Sequence, residues 1–311
     1  MKKKIIYSIV LFTAFSLILF FSQKIIVKYQ AYKKELILLK KRKEGWLHLE
    51  KALTNKVNRF KGTIGLVVKD LDKGWEIAFN RDTLIPSASL VKVPIMLSCF
   101  YAEQDKNTTL KHSIRIRSSD IVSGSRVLGA EPIGSVFTVE ELFDPMITQS
   151  DNAAANVLID YLGFDTLNHY FKKMGLRNTN IVRKMMDFTE RKEGKDNYTT
   201  AGDMAFILEK LYYGEFVNRG VSSECLRILG EQKINDRIPK KLPPGTFVTH
   251  KTGLEKYICH DAGIVFTGNG NFLVCVLVKH EDKISANAKK FISDVALLTY
   301  NYLRDYKRNN P

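Results

Sequence analysis

The sequence predicts an α/β protein of the α+β sandwich kind. An antiparallel sheet built from both ends of the chain is flanked by helices, lies beside an all-helical subdomain and follows an N-terminal transmembrane helix. Three observations predict it. Residues 5–21 (IIYSIVLFTAFSLILFF) form one uncharged apolar run. Segments rich in β-branched residues occur near residues 63–79 and again over 246–279. Helical patterns fill the stretch between them and close the chain.

The elements follow in order. Lys2, Lys3 and Lys4 precede the apolar run, whose 17 residues at about 1.5 Å each reach the lower limit for spanning a bilayer. Ser22, Gln23, Lys24 and Ile25 come next, with neither a small-x-small cleavage pattern nor a cysteine for lipidation. The expectation is therefore an uncleaved single-pass anchor over 5–22, with residues 1–4 as a cytoplasmic tail and the remainder outside. Residues 23–45 read as a basic helical stalk, and Gly45 divides it from a globular domain over 46–311. Within that domain TIGLVVK (63–69) is a strand, Asp72-Lys73-Gly74 a turn and 75–79 the returning strand. A helix spans 89–103, opening at Ser89 with Pro94 in its first turns. Two helical stretches lie within 138–161, and Gly163 stops the latter. Further helices fall at 165–174 and 201–213. Strands at 246–252, 261–267 and 271–279 follow, the last two joined by Gly268-Asn269-Gly270, and the final helix covers about 284–304.

Charge narrows the partners. The 311 residues carry a formal +15, but residues 1–60 hold 14 Lys/Arg against 3 Asp/Glu, leaving only +4 for the rest. A basic excess confined to the N-terminal segment fits an anionic membrane surface, and no nucleic-acid partner is expected. Cys99, Cys225, Cys259 and Cys275 each sit in an apolar run without Cys-x-x-Cys spacing, as buried free thiols do. The six histidines do not cluster, so neither a metal nor another cofactor is expected, and the domain reads as a monomer.

Chemistry is carried by three strings: Ser89-Leu90-Val91-Lys92, Ser150-Asp151-Asn152 and Lys251-Thr252-Gly253. Ordinary frequencies give roughly one Ser-x-x-Lys per chain of this length but only about 0.1 of each other string. The three together, in order, are a specific signal. Ser89 at a helix start has unpaired N–H groups nearby to hold an oxyanion. Lys92 lies one turn on, on the same face, where burial near a second cation such as Lys251 lowers its pKa and makes it a base. Ser150 can relay a proton to a leaving nitrogen, and Asn152 offers a donor and an acceptor to an amide. The Leu254 N–H, opposite Ser89, completes the oxyanion pair.

These strings, with PSASLVKVPI (86–95), FDPMITQSDNAAANVLIDYLG (143–163) and residues 242–263, resemble class A β-lactamases and penicillin-binding proteins over about residues 50–305. The resemblance implies the serine β-lactamase/D,D-peptidase sandwich, with its site between sheet and helical block and a β-lactam or D-Ala-terminated peptide as substrate. It implies Ser89 as acylated nucleophile, Lys92 as base and Ser150 as proton relay, with Asn152, Lys251, Thr252, Gly253 and the Leu254 N–H binding substrate. Two departures stand out. Relatives carry Glu-x-x-Leu-Asn, whose Glu activates the deacylating water, where this chain reads Arg183-Lys184-Met185-Met186-Asp187-Phe188; Asp187 is the candidate substitute. Cys259 stands where many relatives place a carboxylate-gripping Arg, and Arg237 resembles the alternative Arg that others use.

Overall fold

The computed structural model describes residues 2–308, apart from the side chains of residues 2–4, 7–14 and 306–308. The elements in chain order are α1 (Lys2–Asn58), β1 (Thr63–Asp70), β2 (Glu76–Phe79), β3 (Ile85–Pro86), α2 (Lys92–Gln104), β4 (Ser113–Arg115), β5 (Val136–Thr138), α3 (Phe143–Thr148), α4 (Asn152–Leu162), α5 (Phe164–Lys173), α6 (Phe188–Lys192), β6 (Tyr198–Thr199), α7 (Ala201–Tyr213), α8 (Arg219–Gly230), β7 (Phe247–Glu255), β8 (Ile258–Phe266), β9 (Phe272–Lys279) and α9 (Ala286–Arg308).

Five strands form one antiparallel sheet in the order β2-β1-β9-β8-β7, so both halves of the chain meet along the β1–β9 ladder. Residues of β9 alternate between two cores. Leu273, Cys275 and Leu277 face the helical subdomain, whereas Phe272, Val274, Val276 and Val278 face α1 and α9. A sheet buried on both faces needs apolar residues at every position, which is why the 271–279 stretch reads as a continuous run.

Helix α2 is buried almost all round, from Lys92 to Phe100. That central position later decides the chemistry of its first residue. On the opposite face α1 enters the core from Arg42 onward: Arg42, Trp46, Leu49 and Leu53 recur at helical spacing and are buried. Arg42 Nη2 lies 2.6 Å from Asp70 Oδ2, tying the helix to the end of β1. The Trp46 ring meets Tyr302 of α9 edge-on at 5.4 Å.

Several expectations change. Gly45 does not interrupt α1, since it sits against the Tyr302 ring, where a Cβ would lie 3.3 Å away. Ser89 does not open a helix: it lies in a 3-10 turn, Ala88–Val91, and α2 begins at Lys92. Helix α8 was not expected, although Asn218 caps it by accepting from Val221 N and it buries Ser222, Cys225, Ile228 and Leu229. Among the described residues no helix is long and apolar enough to cross a membrane. Much of the anchor expected over 5–22 falls on side chains outside the described set. All four cysteines are buried free thiols.

Replacing Leu53, fully buried, by Ala is expected to lower the unfolding free energy by about 2–5 kcal/mol, while Leu47→Ala, 51% exposed on the same helix, changes it by no more than about 0.5 kcal/mol. Denaturant titration of the two variants checks this.

Candidate active site

The turn bearing Ser89 is held from three sides. Ser87 N–H donates to Asn197 O at 2.7 Å, and Leu90 N–H to Ser87 O at 3.0 Å. Ala88 has φ +45°, a left-handed conformation that costs a residue with a Cβ about 1–3 kcal/mol and survives only where its surroundings enforce it. Strand β7 supplies that enforcement. A Cβ at Gly253 would lie 3.3 Å from the Ala88 Cβ and 3.2 Å from His260, so a side chain there would force its neighbours back by a few tenths of an ångström. His260 is the third support. Its Nε2–H donates to Pro86 O at 2.8 Å, and its Nδ1 accepts from Val278 N–H at 3.0 Å. Burial lowers its pKa to about 4, so the ring is neutral and this tautomer is fixed.

Beside the turn, two buried lysines converge on one hydroxyl. Lys92 Nζ donates to Ser150 O at 2.8 Å and to Asn152 Oδ1 at 2.7 Å, and lies 3.3 Å from Ser150 Oγ. Lys251 Nζ donates to the same Oγ at 3.0 Å and to Thr252 O at 3.0 Å. Burial in the core pushes the Lys92 pKa down to about 7, a shift partly opposed by Asp151 and Glu255 and aided by Arg126. Burial likewise moves Lys251 well below the ordinary range, and the charges of Lys92 and Arg237 push the same way. The expected depression of Lys92 is present, and its main cause is desolvation.

Ser150 has φ +58°, presenting its backbone carbonyl as well as its hydroxyl to Lys92. Asp151 pins the segment by accepting from Ala154 N–H and from Val127 and Leu128 N–H. Asn152 Nδ2 donates to Ser123 O at 2.8 Å. The Asn152 amide is thus partly committed to protein partners, where the sequence had offered it wholly to substrate.

Ser89, Ser150, Asn152, Thr252, Leu254 and Arg237 line one cleft of about 310 Å³, together with Gly124, Arg126, Gln149, Ile234, Asp236 and Lys289. Lys92, Lys251 and Gly253 are buried. Arg237 Nε donates to Cys259 Sγ at 3.3 Å, so the buried guanidinium adjoins Cys259. Its Nη1 is 3.0 Å from Asp236 Oδ1 but misaligned, and neither atom has a hydrogen-bond partner among the described residues. Lys289 on α9 holds the other Asp236 oxygen at 2.7 Å. Behind, His250 bridges Asp261 at 2.9 Å and Asn235 at 3.1 Å, and Ile238 N–H donates to Asp261, which fixes the loop carrying Arg237.

Asp187 is a correction. It lies outside this cleft and caps α6, its Oδ1 accepting from Thr189 and Glu190 N–H at 3.2 and 3.1 Å. The surrounding loop is clamped elsewhere: Arg183 pairs with Asp196 at 2.7 Å, and the Asn156 amide holds the backbone of Met185. Sequence reasoning also missed Arg126, Asp236, Lys289 and His260. No local spacing marks them, because each reaches the site from a different element.

A model described as the Beta-lactamase enzyme family matches residues 48–303. The chain belongs to that family. Among relatives, the β-lactamase VEB-1 of Pseudomonas aeruginosa is 24% identical over 261 residues, covering 77% of this chain and 85% of its own. The structure of PBP-A superposes with a TM-score of 0.75 at 28% identity, covering 83% of this chain and 96% of the other. A β-lactamase from Sphaerobacter thermophilus gives 0.74 at 27% identity, with 83% and 97% covered. A PBP-A variant was captured as an acyl-enzyme with penicillin G. Within this Beta-lactamase family fold, Ser89 lies beside the edge strand β7, whose Gly253 packs on the preceding Ala88.

His260 yields a pH prediction. Its folded pKa lies below the unfolded value of about 6.5, so its neutral form stabilises fully above that pH and the contribution is lost as pH falls toward 4. Wild-type stability is expected to decline over this window by about 1.4 kcal/mol per pH unit from this group, and His260→Gln should lack that component. Urea unfolding at pH 7 and pH 5 compares them.

Proposed function

We propose that this chain is a membrane-anchored serine enzyme that opens β-lactam amides through an ester on Ser89. The observation that carries the reading is the convergence of the Lys92 and Lys251 side-chain nitrogens on Ser150 Oγ, in the cleft that Ser89 also lines. Neutral Lys92 accepts the Ser89 hydroxyl proton as Oγ bonds to the carbonyl carbon. The C–N bond then breaks, Ser150 gives its proton to the leaving nitrogen, and Lys92 returns one to Ser150. The N–H groups of Ser89 and Leu254 steady the oxyanion. Lys251, Thr252 and Arg237 take the substrate carboxylate, whose charge offsets the strain of burying the Lys251 cation.

Slow hydrolysis of that ester is the second part of the reading. Of the carboxylates in residues 183–196, none lines the cleft. The carboxylate that does, Asp236, is engaged by Lys289 and Arg237. With no unengaged carboxylate lining the cleft among the described residues, water attack is slow and the acyl-enzyme persists. This favours a penicillin-binding role, with D-Ala-terminated wall peptides as natural acyl donors, over rapid antibiotic turnover. The apolar run over 5–21 and the flanking lysines support an anchor that places the domain outside the membrane.

Intact-mass measurement after mixing with benzylpenicillin should show one adduct per chain that persists for minutes or longer, and none on Ser89→Ala; turnover within seconds would refute slow hydrolysis, and no wild-type adduct would refute acylation. The acylation rate should rise about tenfold per pH unit below the Lys92 pKa of about 7 and level off above it, because only the deprotonated amine is a base. Stopped-flow acylation from pH 5 to 9 checks this slope.

A further inference from the structure

The cleft carries cations on both rims. On the sheet side Arg237 and Lys289 share the single carboxylate of Asp236. On the helical side stands Arg126. It is exposed, it lines the cleft, and it has no ion-pair or hydrogen-bonding partner among the described residues. Its loop is not loosely placed. Asp151 accepts from the N–H groups of Val127 and Leu128 at 2.7 and 3.2 Å, and Asn152 is bonded to Ser123 O and Gly124 O. The backbone on each side of Arg126 is therefore locked to the turn that carries Ser150, which anchors the base of the side chain at the cleft's rim. The depression of the Lys92 pKa by the Arg126 charge reports the same proximity.

A substrate with one carboxylate satisfies the sheet rim and leaves Arg126 unanswered. We infer that Arg126 forms a second anion subsite, which selects acyl donors bearing a further carboxylate on the acyl side of the scissile amide. This rests on the acylation reading above. Guanidinium pairs carboxylate through two parallel N–H donors, stronger than neutral contacts, so preference between otherwise identical donors is expected to reach about tenfold.

Carbenicillin differs from benzylpenicillin by one added side-chain carboxylate, and the pair isolates the effect. With the full chain, the second-order acylation rate should favour carbenicillin by about tenfold. Arg126→Ala should reduce that ratio to near one, and Arg126→Lys, which keeps the charge without the fork, should restore part of it. A wild-type ratio near one, or an equal loss for both penicillins in Arg126→Ala, overturns the subsite while leaving acylation at Ser89 intact. Failure of both penicillins to form an adduct overturns the acylation reading and the subsite with it.

Discussion

Two lysine side chains buried around one serine hydroxyl set the terms for everything else in this protein. Removing an ammonium group from water costs several kcal/mol even after relaxation, and placing two at one oxygen adds their repulsion. The fold accepts that cost at Lys92 and Lys251, and the return is reactivity. A lysine at its ordinary pKa is almost wholly protonated at neutral pH and cannot act as a base, whereas Lys92, drawn down to about 7, carries both forms. The carbonyl of Ser150 and the Asn152 side chain hold the amine in place.

The scaffold can be understood as the apparatus that keeps those groups dry and aligned. Helix α2 is sheathed in apolar neighbours, so its first residue is desolvated by position alone. The Ser89 turn, strained at Ala88, is pressed by β7 through Gly253 and pinned by the neutral His260. On the far side of the sheet, α1 and α9 close the second core with Trp46, Leu53 and Phe291. The two cores grip the same strands from opposite faces, and the cleft lies where strand edge and helical block meet.

In the proposed reaction, forming the ester and breaking it draw on different groups. The proposed acylation needs a nucleophile and a proton relay, Ser89 and Ser150, which line one cleft, and a tunable amine, Lys92, which is buried against Ser150. In the proposed scheme, hydrolysis calls on a further base, sought in the loop over residues 183–196. In this chain that loop directs its charges into its own clamps: Asp196 to Arg183 and Arg191, Glu190 to Lys195, and Asp187 to the cap of α6.

Much of this was legible in the linear chain. The three strings Ser89–Lys92, Ser150–Asn152 and Lys251–Gly253 are short-range patterns, and the sheet strands and longer helices announced themselves by periodicity. Helix α8 escaped because polar residues crowd its start, and the 3-10 turn at Ser89 because a left-handed Ala88 leaves no mark in composition. The amino-acid sequence alone determined which groups are available to react, since residue type and local spacing specify them. Tertiary structure alone decided that Asp187 stays outside the cleft, that His260 braces the turn, and that Arg126, Asp236 and Lys289 share the cleft. Those outcomes depend on contacts between residues far apart in the chain, and on how completely each charge is shut away from water.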